Sequence, residues 1–319
     1  MAETVSTLGE TGLIQRLSRR LVPATSVLVG IGDDAAVLHW GSKELMLFAS
    51  DMLVEGVHFR RHELAPRWIG WKALACNISD IAAMGGLPKY AVVSLGLPRG
   101  TAVRFVDGLY GGLAGCARRF RVAIVGGDTV RAPCVVLDVA IVGTVKASRI
   151  VLRSGAKVGD RIFVTGRLGG SLVSQRHAKF FPRLREAQWL IRHLAMHAMI
   201  DLSDGLATDL WHLARASRVT MQVSQARIPV AEAAKRCLHR DCPCRSWPGD
   251  KGQWHALMDG EDYELVFTVP SRMASRVPQS IGRVPVTEIG MVTTRGADVS
   301  WLRDDGEITS LVPESFQHF

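Results

Sequence analysis

Apolar residues recur along this chain in two rhythms. Over residues 68–84 they fall at helical spacing: Trp71, Leu74, Ala75, Ile78 and Ala82 share one side of a 3.6-residue turn, and Gly85 and Gly86 supply a stop. Residues 101–120 predict a second helix despite their glycines. Short runs rich in branched residues at 26–31, 44–49, 90–97, 121–125 and 134–145 predict strands. A polar, glycine-containing stretch at 146–160 then breaks the pattern. Beyond it, strands are predicted at 161–165, into Asp201 and at 263–269, with a helix over 206–216. Residues 237–256, rich in Cys, Pro, Trp and charge, predict an irregular loop or insertion. The expectation is an α/β (α+β) fold in two domains, 1–147 and 148–319.

Composition excludes more than it selects. With 47% hydrophobic and 22% charged residues in 319, the chain has the make-up of a globular protein. The longest apolar run, 134–145, falls short of the roughly 20 residues that span a bilayer and carries Asp138, so it predicts a buried strand. The amino terminus lacks the basic and apolar regions of a secretory signal, and a cytoplasmic protein with no membrane association is expected. The net charge of +9 comes from scattered basic residues, which suits an anionic small substrate and not a nucleic-acid arm. Cys76, Cys116 and Cys134 sit in apolar segments as core thiols. Cys237, Cys242 and Cys244 cluster with His239 and His255. That group admits a zinc site, but it has no paired C-x-x-C spacing, and the reading preferred from sequence is a loop of reduced cysteines.

The chemistry lies in the aspartates. Asp33, Asp34, Asp51, Asp80, Asp128, Asp201 and Asp204 mostly lie where an apolar element meets small residues, at the exposed ends of otherwise buried elements. Singly, Asp33, Ser203 and Asp204 read as turn or cap residues; the repeated setting points to a site. Two carboxylates about 4 Å apart repel by about 4 kcal/mol at an effective dielectric near 20. If these segments converge, cations must lie between them or some must be protonated. Hard oxygen donors on turns suit Mg²⁺ completed by phosphate oxygens. There is no G-x-x-x-x-G-K-[ST] loop and no protein-kinase signature, and the glycine-rich stretch from Gly166 to Ser171 is a weak phosphate signal by itself. Metal on aspartate would therefore carry the phosphates.

Eight motifs occur in order: GIGDDAAV, SDMLVEGVHF, WKALACNISDIAAMGG, VGGDTVRAP, RSGAKVGD, VTG, IDLSDGLATDL and GEDYEL. From Gly30 to about Val269 the chain thereby resembles the thiamine-monophosphate kinase family, and more distantly the superfamily of aminoimidazole ribonucleotide synthetase, selenophosphate synthetase and a hydrogenase maturation factor. The resemblance implies a two-domain aminoimidazole ribonucleotide synthetase-like fold whose N-terminal half contributes to a dimeric β-barrel. It implies direct transfer of the ATP γ-phosphoryl group to thiamine monophosphate in a homodimer that uses several Mg²⁺ ions. By similarity Asp34, Ser50, Asp51, Asp80, Asp128, Asp201 and Asp204 would bind metal, with Asp51, Asp128 and Asp204 most directly tied to catalysis. Tyr110, Gly127, Asp128, Arg153 and Ser203 would contact ATP; His58 and Glu261 would face the thiamine substrate. Bland rivals stand beside these roles: Tyr110 as core cover, Arg153 as a linker charge, His58 as a structural histidine and Glu261 as surface charge. Three features depart from the pattern. The segment between Gly170 and Asp201 is short, Asp259 stands where glycine is usual, and Pro313 falls near the place of an expected aromatic for which Phe316 would substitute. The rival readings are a sister ATP-dependent synthetase and a non-catalytic nucleotide-binding protein.

Overall fold

A computed structural model describes residues 4–21, 24–41, 43–237, 242–247 and 249–313. Helix α1 (Val5–Ser18) opens on a capping box at Thr4 and kinks at Gly9, whose φ is 70°. The first half continues as β1 (Val27–Val29), β2 (Ala36–Trp40), β3 (Glu44–Val54), α2 (Pro66–Ala83), β4 (Leu87–Leu97), α3 (Val103–Phe120), β5 (Ala123–Arg131) and β6 (Val136–Lys146). Its six strands form one open sheet in the order β1-β2-β3-β6-β4-β5, antiparallel except for β4 with β5.

The second half runs β7 (Arg161–Thr165), α4 (Arg176–Lys179), α5 (Leu184–His193), β8 (Ala198–Asp201), α6 (Leu206–Ser217), β9 (Val219–Ser224), α7 (Lys251–Met258), β10 (Leu265–Val269), β11 (Ser280–Ile281), β12 (Val284–Arg295), β13 (Val299–Leu302) and β14 (Ile308–Ser310). Its sheet follows β14-β13-β9-β12-β7-β10-β8, with β11 paired to β12. Strands and helices alternate irregularly, so the fold is mixed α/β built on two sheets.

Helix α2 joins the halves. It packs on β3, β4 and β6 on one side and meets α3, α5 and β8 on others. That is why thirteen of its residues are buried, including Lys72, Asn77 and Ser79, and why its apolar pattern runs almost all round. Its approach to α3 depends on two glycines. A Cβ at Gly70 would sit 1.9 Å from the Leu109 carbonyl oxygen, and one at Gly112 would sit 1.8 Å from that of Arg67.

The expected elements are present, with three differences. β3 does not stop at residue 49 but runs on to Val54, because Asp51, Met52 and Leu53 remain in register with β6. β5 likewise runs past Val125 to Arg131, so Asp51 and Asp128 lie within strands rather than on turns. The stretch 237–256 is not wholly irregular: it contains α7, whose Asp250 side chain caps the helix by accepting from the Gln253 amide at 3.1 Å. The short segment after Gly170 is firmly anchored. Trp71 Nε1 donates to the Phe180 carbonyl at 2.7 Å, and the Phe180 ring stacks on Tyr263 at 3.9 Å. Phe316 and His239 lie outside the described residues. No helix among the described residues is long and apolar enough to cross a membrane.

Candidate active site

Three aspartates from distant parts of the chain meet where the two halves join. Asp34 comes from the turn between β1 and β2, Asp80 from the last turn of α2 and Asp201 from the end of β8. Each offers a carboxylate oxygen, and these oxygens lie within 4.8 Å of one another. Burial raises the pKa of all three; neighbouring carboxylates raise Asp80 and Asp201 further, while Arg153 pulls Asp34 back down. Asp51, on β3, is pushed up by burial and then by the negative charges of Asp138 and Asp204.

Positive charge is scarce here. Arg153 donates from Nε (3.1 Å) and Nη2 (2.6 Å) to a single oxygen, Asp34 Oδ1. Asp34 Oδ2 is buried with no hydrogen-bond partner. Asp201 accepts from the Ser79 hydroxyl at 2.5 Å. A set of hard oxygens at this spacing, one of them a buried orphan, fits an octahedral divalent cation, whose neighbouring ligand oxygens lie roughly 3 Å apart at magnesium–oxygen distances near 2.1 Å. The donor chemistry suits Mg²⁺ better than a soft metal.

Beside this cluster opens a cleft of about 330 Å³, lined among others by Asp51, His58, Cys76, Ser203, Asp204, Glu261 and Tyr263. Asp204 and Glu10 also line a neighbouring cavity of about 480 Å³ with Arg153, Trp211 and His212. The loop bearing Ser203 is held to the loop bearing Glu261, whose amide donates to the Ser203 carbonyl at 2.7 Å. Asp209 ties the same loop to α6, accepting from the amides of Asp204 (3.2 Å) and Gly205 (3.1 Å). His58 accepts the Val54 amide on Nδ1 at 3.0 Å, which leaves its ring proton on Nε2.

Other expected residues stand apart from the buried trio. Asp128 is paired with Ser94, and Ser94 with Asp138, so all three share the face of the first sheet that is turned away from α2. Ser50 is on that face too, its hydroxyl donating to Asp138 at 2.9 Å. Gly127 lies against β4, where a Cβ would come within 1.9 Å of the Val93 carbonyl oxygen; close strand packing alone requires glycine there. Tyr110 is on the exposed side of α3. Asp33 serves the turn and the linker, accepting from the amides of Asp34 (3.0 Å) and Arg153 (3.1 Å); burial and the Asp34 charge raise its pKa to about 6.

Two residues of consequence escaped the sequence reading. Lys72 is fully buried, donates to the His58 carbonyl at 3.0 Å and forms an ion pair with Glu261, so it clamps both expected substrate residues to α2. A lysine inside an apolar helix was the available signal. Asp138 shows in the sequence only as a charge within a buried strand; its register opposite Ser94 and its hydrogen bond from Ser50 set it on the same sheet face as Asp128.

The fold is of the AIR synthase-related class: residues 32–145 match the family model described as AIR synthase related protein, N-terminal domain. The thiamine-monophosphate kinase of Rhodopirellula baltica is 36% identical over 97% of both chains, and that of Bacillus subtilis is 33% identical over 98% of this chain and all of the relative. A solved structure described as AaThiL complexed with AMPPCP and TMP superimposes with a TM-score of 0.83 at 31% identity, covering 100% of each chain. The chain belongs to the thiamine-monophosphate kinase family.

Proposed function

We propose that this chain transfers the γ-phosphoryl group of ATP directly to thiamine monophosphate, giving thiamine diphosphate and ADP. The observation that carries the reading is the cleft itself: Asp51, His58, Asp204 and Glu261, from separate segments, line one space next to the buried Asp34–Asp80–Asp201 trio. Family membership and the ATP analogue and TMP of the similar solved structure support it.

In this reading Asp34, Asp51, Asp80, Asp201 and Asp204 hold magnesium, with Asp128 and Ser50 contributing from the other face of the sheet. Magnesium, when bound, neutralises the carboxylates and the phosphate oxygens they face. Arg153, Ser203, Gly127, Asp128 and Tyr110 contact ATP, while His58 and Glu261 position the acceptor. Lys72 keeps His58 and Glu261 in place from below. Phosphoryl transfer depends on in-line positioning and charge stabilisation more than on covalent help. The acceptor is a phosphate monoester with a second pKa near 6, already ionised at neutral pH, so no strong base is assigned.

The same reading has 1–147 and 148–319 as two domains of a cytoplasmic homodimer. Exposed Phe48, Met52, Tyr90, Val92 and Val125 give the first sheet an apolar outer surface suited to a second copy.

Purified protein incubated with ATP, Mg²⁺ and thiamine monophosphate will form thiamine diphosphate, and Asp51→Asn will cut the rate by about a hundred-fold or more, as expected when a group that stabilises transition-state charge is lost. ATP binding without product would favour a regulatory role instead, and phosphorylation of another acceptor would favour a sister synthetase.

A further inference from the structure

A second cluster lies in the second half of the molecule, apart from the carboxylates. Cys237, Cys242, Cys244 and His255 are separated by up to eighteen positions, yet each directs one ligand atom to a common point, and all four atoms lie within 4.8 Å of one another. Cys242 and Cys244 flank and enter a short 3₁₀ turn (Pro243–Arg245), while His255 projects from α7. Cys244 is fully buried; Cys242 and His255 are less than one-tenth exposed.

The geometry points to a structural zinc site of the Cys₃His type, and we propose that this chain binds one Zn²⁺ there. Sulfur and imidazole nitrogen are the donors zinc takes in closed four-coordinate sites. With zinc–sulfur bonds of about 2.3 Å, tetrahedral sulfurs lie roughly 3.8 Å apart. Here the Cys237 and Cys244 sulfurs are 3.3 Å apart, and Cys242 Sγ is 3.9 Å from His255 Nε2. A disulfide would need about 2.05 Å.

The other nitrogen of the ring supplies an independent observation. His255 Nδ1 lies 2.7 Å from Asp259 Oδ1. That is the carboxylate–histidine arrangement which fixes the tautomer of a zinc-bound imidazole, leaving Nε2 free to face the metal. On binding, the three cysteines coordinate as thiolates and release their protons to solvent, so the site carries a net charge of −1 and its affinity falls as the pH is lowered.

The site also reaches the cleft. The second oxygen of Asp259 accepts the Gly170 amide at 2.7 Å, and Asp259, Gly260 and Glu261 line the cleft wall. Zinc would hold His255, His255 would hold Asp259, and Asp259 would hold the loop that carries Glu261. This accounts for an aspartate at 259, where a glycine could make neither contact.

The test is the full chain purified untagged from cells grown with zinc, in reducing buffer without chelator. Elemental analysis is expected to give one zinc per chain. Cobalt substituted for it is expected to show the visible bands of a tetrahedral thiolate site. Cys244→Ser and His255→Ala are expected to lose the metal, Cys116→Ser to keep it, and Asp259→Ala to bind it about ten- to a hundred-fold more weakly. Should the cluster variants fail to fold, X-ray absorption at the zinc edge of the wild-type protein decides, with three sulfur and one nitrogen neighbours expected. The proposal is overturned by protein that neither contains zinc nor takes up added Zn²⁺ or Co²⁺ under reduction. Full zinc content in Cys244→Ser, or a Cys237–Cys244 disulfide in the alkylated, zinc-free protein, would overturn it as well.

Discussion

Two groups of buried acids in this molecule are treated in opposite ways. Asp262 and Glu264, on the loop leading into β10, are almost fully buried, and each has its own arginine. Arg176 pairs with Asp262, while Arg183 grips both oxygens of Glu264 at 2.5 and 2.6 Å. One amide and one hydroxyl add to these pairs: Gly169 donates to Asp262, and Thr165 to Glu264 at 2.7 Å. Asp34, Asp80 and Asp201 share one arginine among three, and one oxygen of Asp34 has no partner. The first group is closed on itself and reads as a structural brace for the loop behind the cleft. The second is left short of positive charge, as a site must be if it is to take a cation from outside. A buried charge is costly without a partner, and burial accordingly holds the pKa of all three carboxylates above the ordinary range.

The sharpest break of this contrast is Asp201→Asn. It removes a carboxylate from the open group, and it is expected to lower kcat/KM by about a thousand-fold, or ~4 kcal/mol, while raising the thermal midpoint of the metal-free protein because a buried carboxylate held above its ordinary pKa is gone. Loss of stability with activity retained would dissolve the distinction between the two groups. Next in size, Arg183→Ala leaves Glu264 buried and unpaired. Such breaks cost about 3–5 kcal/mol, read as a lowered denaturation midpoint, and the double variant Arg183→Leu with Glu264→Leu is expected to recover most of it.

The mildest test is pH. Asp33, with its pKa raised to about 6, and the trio behind it, raised in the same direction, take up protons on folding. Stability from these groups is fully present below about pH 4, the ordinary carboxylate range, and is lost as pH rises through 6 and beyond. Magnesium binds the ionised form. It is expected to stabilise little at pH 5 and by about 2.7 kcal/mol at pH 8 when present at a hundred times its dissociation constant. A shift of equal size at both pH values, measured by thermal denaturation, would show that the cluster is not what the ion meets.

Much of the scaffold was legible in the chain. Residues 161–165 coincide with β7, and α2 and α3 fall within two residues of their expected bounds, because each has a clear apolar period and a glycine or linker at its end. The less regular parts were not legible. β12, the long strand that joins β7 to β9, alternates poorly and contains a proline and two register shifts. Helix α1 buries no residue and so left no apolar stripe to read. The aspartates of the cleft were legible as a list, but a list treats Asp80 and Asp128 alike. One ends in the trio and the other on the far face of the sheet.

The sequence alone determined which residues are able to do chemistry: hard oxygens beside small residues, soft thiols grouped near a histidine, and helices and strands of the right period to carry them. Those properties are local, since they depend on side-chain type and near neighbours. Only the tertiary structure decided which of them meet. Convergence of Asp34, Asp80 and Asp201, of Lys72 with Glu261, and of Cys237 with His255 depends on strand register and helix packing across long stretches of chain. Those contacts are set by the burial of the whole core, and no single segment encodes them.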